Sequence, residues 1–379
     1  MQTPIYLDNN ATTPLAPSVI AAMTVALETF GNPSSAHSAG KPAREIIENA
    51  RNSVAKLIGA KDPCEIVFTS GGTESDNWAI LGALESQPGA DHVVTTRVEH
   101  EAVRKLCEKL EARGTRVSWI GVDEKGRLDL DQLRNSLDSK TAVVSVMMAN
   151  NETGVVFPIE KIAAIVKANS DALFHVDAVN AAGKMPINAE LLGIDLLSLS
   201  AHKFHGPKGI GALYIRDGIG LPPIQIGGGQ ERGRRAGTEA VHQIAGLAAG
   251  AELAADLSQV DEIRRLRDKL ETAILERFDL ASVNGDIDQR LPNTSNISFE
   301  NLNGEVILHY LDEAGIYVST GSACNSESKV SSPVLAAMNV PYSKAMGSMR
   351  FSLGRTNNEE EINRTLASLD DTIPKLRKI

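Results

Sequence analysis

Between residues 41 and 215, short runs rich in β-branched residues alternate with segments whose apolar residues recur every three or four positions. That alternation restricts the fold more than any other feature of the chain. The runs "EIVFTS" (65–70), "HVVTT" (92–96), "RVSWIGV" (116–122), "AVVSVMM" (142–148), "ALFHVDA" (172–178), "DLLSLS" (195–200) and "IGALYIR" (210–216) read as strands. Between them, "KPAREIIENARNSVAKLIG" and "PIEKIAAIVKAN" read as amphipathic helices. The spacing predicts an α/β fold with a mainly parallel sheet flanked by helices. After "GGGQERGRRAGTE" a helical stretch over about 240–279 leads into further strand and helix segments, so a smaller α+β C-terminal domain is expected. At 379 residues the chain has room for both. The expected division is a large domain over 15–254 and a small one over 255–379, with 1–14 packing against the latter.

Charge and cysteine usage exclude several classes of function. Lys+Arg 38 against Asp+Glu 48 gives a net charge of -10, which argues against nucleic acid as a partner. The N-terminus "MQTPIYLDNN" has no basic-then-apolar leader, and the most apolar segment, "IAGLAAGA" (244–251), stops at Glu252. A cytoplasmic protein without a membrane partner is expected. Three widely spaced cysteines suit neither a disulfide framework nor a zinc site, so no metal of its own is expected. Cys64 and Cys107 read as packing residues. Cys324 does not: it sits in "STGSACNSESKVSSP", a stretch of small, polar and charged residues with little to bury it.

In open α/β sheets ligands collect beyond the carboxyl ends of the strands, and the residues expected there form a chemical set. "GGTESDNWAILGAL" follows a strand with a glycine pair that lets backbone N–H groups approach an anion at a helix N-terminus; read alone, it is equally a turn capped by Thr73. His100 ends "TTRVEH" just before a helix, where capping and chemistry are both open. Asn150 and Asn151 end another strand, in positions that suit turn formers. Asp177 closes the apolar run "LFHVDA", where a buried carboxylate needs a cationic partner unless it serves as a cap. In "SLSAHKFHGPKGIG", period-2 alternation puts Ser198, Ser200 and His202 on one side of a strand. Lys203 stands at its end, a candidate Schiff-base lysine. A lysine for an aldehyde, a carboxylate for a pyridine nitrogen, a planar group over a ring and donors around a phosphate together match pyridoxal 5'-phosphate (PLP).

Beyond these, the chain resembles the cysteine desulfurases of the NifS/IscS type, fold-type I PLP-dependent transferases of the class V aminotransferase group. The resemblance rests on "YLDNNATTP", "FGNPSSAHSAG", "FTSGGTESDN", "VEHEAV", "ANNETG", "HVDAVN", "SAHKFHGPKGIG", "GGGQERGRRAGTE", "LPNTSNISF", "GSACNS" and "MRFSLGR", in the family's order and nearly end to end. It implies that Lys203 binds the cofactor's aldehyde, Asp177 holds the pyridinium nitrogen, and His100 stacks on the ring and assists proton transfer. It implies a phosphate site of Gly72, Thr73, Ser200 and His202, joined by Thr238 from the second subunit of a homodimer. Asn151 would contact the ring substituents, Arg350 the substrate carboxylate, and Asn10 the mouth of the same site. Asn180 stands where the family usually has glutamine, one methylene longer, so its hydrogen bond to the cofactor's phenolic oxygen is expected to be long or water-mediated.

The resemblance also gives Cys324 a role. As a thiolate it would take the sulfur of L-cysteine as a persulfide, leaving L-alanine. The long polar loop would then deliver that sulfur to an acceptor, an iron-sulfur scaffold in the group this loop resembles, where Cys324 could contact the cluster. Two other readings remain open at this level: a related PLP lyase or aminotransferase, and a catalytically idle platform for sulfur-assembly partners.

Overall fold

The computed structural model describes residues 3–320 and 332–377, so Cys324 and its neighbours lie outside the described residues. The first half of the chain runs β1 (Ile5–Tyr6), α1 (Pro17–Leu27), α2 (Lys41–Ile58), β2 (Ile66–Thr69), α3 (Gly72–Ser86), β3 (His92–Thr96) and α4 (Glu101–Glu111). It continues with β4 (Arg116–Ile120), α5 (Leu130–Ser136), β5 (Thr141–Met147), α6 (Ile159–Asn169), β6 (Leu173–Asp177), β7 (Leu196–Ser200) and β8 (Gly211–Ile215). Strands β2 to β8 form one sheet in the order β2-β8-β7-β6-β5-β3-β4. Neighbours pair in parallel except at β8, which runs antiparallel to both β7 and β2. The reversal follows from chain length: residues 201–210 are too few for the crossover that a parallel return requires. Gly211, which opens β8, lets the strands close up, since a Cβ there would lie 2.4 Å from the Leu199 carbonyl oxygen and 2.7 Å from the Gly71 Cα.

Both faces of the sheet are covered, which is why its strands read as nearly unbroken apolar runs. Val144, Val146, Phe174, Val176, Leu197 and Leu199 face one way, into a cluster with Val54 and Ile58 of α2 and Ile162 of α6. Their alternates face α3 and α4: Val67, Leu196 and Leu213 pack on Trp78, and Val93 and Val143 on Ile80 and Val103. Because β2, β3, β5, β6 and β7 all point the same way, their carboxyl ends line one edge.

The second half runs α7 (Val241–Ala255), α8 (Val260–Arg277), β9 (Ala281–Val283), β10 (Thr294–Phe299), α9 (Gly304–Glu313), β11 (Ile316–Tyr317) and β12 (Ser319–Thr320). It ends with α10 (Pro333–Ala337), α11 (Tyr342–Ala345), β13 (Ser348–Ser352) and α12 (Glu359–Leu376). The stretch expected as one helical run is two helices, broken at Asp256–Gln259, where the Ser258 N–H donates to the Asp256 carboxylate at 3.0 Å. An antiparallel sheet, β12-β13-β10-β9, packs with α8, α9 and α12 around Leu270, Ile297, Phe299, Ile307, Phe351 and Ile362. Ile5 and Leu7 belong to this second cluster, and β1 pairs in parallel with β11. Leu291, Val334, Leu335 and Met338 instead pack into the first cluster. Among the described residues no helix is long and apolar enough to cross a membrane.

Candidate active site

The turns at the carboxyl ends of the strands enclose a cavity of about 430 Å3 between the two clusters. Gly72, Thr73, His100, Asn151, Asp177, Asn180, Ser200, His202, Lys203, Asn10 and Arg350 all line it. Eleven residues singled out in the sequence are therefore brought together. Thr238 is not among them: it lines a separate depression with Ser70, Glu231 and Arg235.

Asp177 is the last residue of β6 and only 6% exposed; its Oδ1 accepts the Val179 N–H at 2.9 Å. Burial pushes its pKa up, while His100 and Lys203 pull it down. Beside it, burial and the charge of Asp177 push Asp76 well above the usual carboxylate range. A cationic ring nitrogen would be the missing partner of this acidic floor. Lys203 reaches the cavity from a short 3-10 turn, its ammonium donating to the Asn10 carbonyl. The expectation that His202 continues the strand alternation with Ser198 and Ser200 fails here: β7 ends at Ser200, and the turn over Ala201–Lys203 swings His202 toward Thr12, 3.1 Å from its Nδ1. Desolvation and the charge of Lys203 push His202 down to about 4, so it is neutral.

His100 takes the capping role and also lines the cavity. As N-cap of α4 its Nδ1 accepts the Ala102 N–H at 3.2 Å, so the neutral ring carries its proton on Nε2. Burial lowers its pKa, and the neutral form prevails. Thr73 does not cap α3: Gly71, at φ 150°, is the N-cap residue and no side chain caps the helix. The first N–H groups of α3 are thereby left for an anion. Asn150 is the turn former expected of it, its Oδ1 accepting the Glu152 and Thr153 N–H groups.

On the opposite wall, Arg350 of β13 donates from Nη2 to Asp8 at 2.7 Å and from Nη1 to the Asn151 carbonyl at 3.0 Å. Its Nε is buried without a hydrogen-bond partner. Asn10 lines the cavity but cannot hold a substrate through its amide. Nδ2 donates to Asn151 O and Thr294 Oγ1, while Oδ1 accepts from Lys184 and Asn293, which exhausts both groups. Asn180 keeps one N–H after donating to Asn150 O and accepting from Lys184.

The sequence reading missed Asp8, Asp76, Glu152 and Lys184. The first three line the cavity, and Lys184 fixes Asn10 and Asn180 from behind. Asp8, Asp76 and Glu152 each sit inside a motif that was recognised, "YLDNNATTP", "FTSGGTESDN" and "ANNETG", and that proximity was their only signal. Cys107 is buried as expected, its thiol pushed up to about 12 by burial. Cys64, expected to pack, is instead exposed in a 3-10 turn before β2.

A buried acid opposite a lysine, an open helix N-terminus flanked by hydroxyls, and a neutral histidine on one wall together fit PLP. Fold and site thus define a fold-type I PLP-dependent enzyme. The profile of the Aminotransferase class-V family matches residues 5–365. The "Cysteine desulfurase" of Gluconacetobacter diazotrophicus is 51% identical over 381 residues, covering 99% of this chain and 94% of that protein. A solved "NifS-like protein" superposes with a TM-score of 0.93 at 39% identity, covering 99% of this chain and all of the other. "SspA in complex with cysteine" gives a TM-score of 0.82 at 35% identity, covering 92% of this chain and 98% of that one. The chain belongs to the class-V aminotransferase family, among its cysteine desulfurases.

Proposed function

We propose that this cavity removes sulfur from L-cysteine through the residues assigned below and hands it to Cys324 as a persulfide. PLP, when bound, supplies an aldehyde for the substrate amine and an electron sink that lets the substrate Cα give up its proton. Asp177 keeps the ring nitrogen charged, and Gly72, Thr73, Ser200 and His202 hold the phosphate. Lys203 holds the cofactor and then moves the Cα proton. Arg350 orients the substrate carboxylate with the N–H groups left on its Nη1 and Nη2, and Asn151 and Asn180 steady the ring substituents. His100, neutral with its proton on Nε2, hands that proton to the carbon that the sulfur leaves.

The sulfur step balances without an outside oxidant. The Cys324 thiolate attacks the substrate sulfur and the C–S electron pair goes to carbon; once that carbon has taken a proton and Lys203 has returned the Cα proton, a persulfide on Cys324 and L-alanine result. The sulfur then passes to an acceptor protein, for which an iron-sulfur scaffold is the chemistry favoured by the long polar segment around Cys324. The observation that carries the reading is the pairing, in one cavity, of the buried carboxyl of Asp177 with the amine of Lys203 and the guanidinium of Arg350. The solved relative that holds cysteine supports the substrate. A homodimer in the cytoplasm completes the proposal, and the position of Thr238 away from its own chain's cavity supports the second subunit.

The test is paired release of alanine and sulfide from L-cysteine in the presence of a reductant, native against Cys324→Ser. Equal yields from the native enzyme and near-zero alanine from the variant are expected. A fully active variant would leave a lyase or aminotransferase, and an inactive native protein would leave a platform.

A further inference from the structure

We propose that Asp8 sets the side-chain specificity of the cavity, excluding amino acids with an anionic side chain by occupying one edge of Arg350. The inference rests on the reading of Arg350 as the substrate-carboxylate residue. Arg350 is 7% exposed and is the one arginine lining the cavity among the described residues. Its five N–H groups are unequally committed: one on Nη2 to Asp8, one on Nη1 to the Asn151 carbonyl, and the buried Nε to nothing. One carboxylate can therefore be taken by the N–H groups left on Nη1 and Nη2. The ion pair with Asp8 already offsets the guanidinium charge, so a second carboxylate on the same ligand meets the charge of Asp8 rather than an unneutralised arginine.

Asp8 is held in place by backbone as well as by Arg350. It bridges in parallel to Ser352, two residues beyond Arg350 on β13, while the Ser352 N–H donates to Leu7 O at 2.7 Å and the Asn9 N–H to Ser352 O at 3.0 Å. The backbone that carries the carboxylate is thereby fixed beside Arg350. Around it the cavity presents Asp76, Asp177 and Glu152 as acids, His100 and His202 as neutral rings, and Lys203. Lys203 and Asp177 are committed to the cofactor. A like charge held a few ångströms from an incoming carboxylate in such a partly desolvated site costs about tenfold in affinity.

The experiment titrates the holoenzyme with L-alanine and with L-aspartate, which differ by one side-chain carboxylate, and follows the cofactor's absorbance. Asp8→Asn keeps an oxygen to accept from Nη2 and removes only the charge. The affinity for aspartate relative to alanine is expected to rise about tenfold in Asp8→Asn. Asp8→Ser should show the same direction, and Asp8→Glu, which keeps the charge, should stay near the native ratio. A ratio unchanged in both uncharged variants overturns the inference. Turnover of L-cysteine by the native enzyme is measured alongside: without it the underlying reading fails, whereas with it an unmoved ratio counts against Asp8 alone.

Discussion

Glu99 shows what burial does to a single side chain behind this site. It is 4% exposed; Oε1 accepts the Thr96 hydroxyl at 2.7 Å and the Met147 N–H at 3.0 Å, while Oε2 is buried without a hydrogen-bond partner. Desolvation, aided by the charge of Asp177, raises its pKa from 4.5 to about 8. An acid whose pKa is higher folded than unfolded binds more protons in the native state. Its contribution is therefore full below the unfolded value and is lost as pH rises from about 4.5 through about 8. Glu99→Gln keeps the accepting oxygen and cannot ionise. Its stability relative to the native protein should increase by on the order of a few kcal/mol between pH 5 and pH 8. Urea unfolding at both pH values checks this, and an unchanged difference would mean that Glu99 titrates normally. Asp177 was legible in the sequence because a carboxylate closing an apolar strand demands a cation. Asp8 was not, since its partner Arg350 lies 342 residues away and only the fold brings them together.

Elements carried by unbroken buried strands were the most legible, because a strand covered on both faces writes its limits as an apolar run: "HVVTT" is β3 to the residue. Turns were the least legible. The 3-10 turn after β7 ends the period-2 alternation, and the direction of β8 depends on loop length rather than pattern. The loop that bears Thr238 holds a similar hidden device. Glu231 and Arg232 both adopt left-handed backbone, at φ 49° and 60°, a conformation costing about 1–2 kcal/mol per non-glycine residue. What holds them is a buried clamp: Arg51 of α2 donates to both Glu231 carboxylate oxygens at 2.7 Å, and the Phe68 N–H of β2 donates to Oε2 at 2.9 Å. Removing one member strands the other's charge, so Glu231→Ala should destabilise the protein by about 3–5 kcal/mol. The double change Arg51→Met with Glu231→Leu should recover a large part of that loss. If denaturant midpoints show the double variant no better than the single one, the pair is not what holds the loop.

At the scale of the molecule, a single chain supplies every proposed cofactor contact except Thr238, which opens on a different surface. Leu27, Phe30 and Ile226 are also exposed, at 66%, 91% and 90%, apolar side chains that a second copy could cover. Both facts fit a second copy whose Thr238 completes the phosphate site of the first. The arrangement has a consequence that no single-chain reading shares. Lys203→Ala removes the lysine of a chain's own cavity, and Thr238→Ala removes a donor from its partner's. In a mixed dimer of the two variants, the chain with Thr238→Ala keeps its own Lys203 and receives an intact Thr238 from the Lys203→Ala chain. One of the two cavities is then complete. If Thr238 served its own chain, neither cavity would be. Co-purified mixed dimers, isolated by different affinity tags, should therefore desulfurate L-cysteine at about half the native rate per dimer. Both parent variants should be slow: without Lys203 the chemistry stops, and loss of one phosphate hydrogen bond weakens cofactor retention by about tenfold. A mixed dimer no faster than the Thr238→Ala parent would return Thr238 to its own chain.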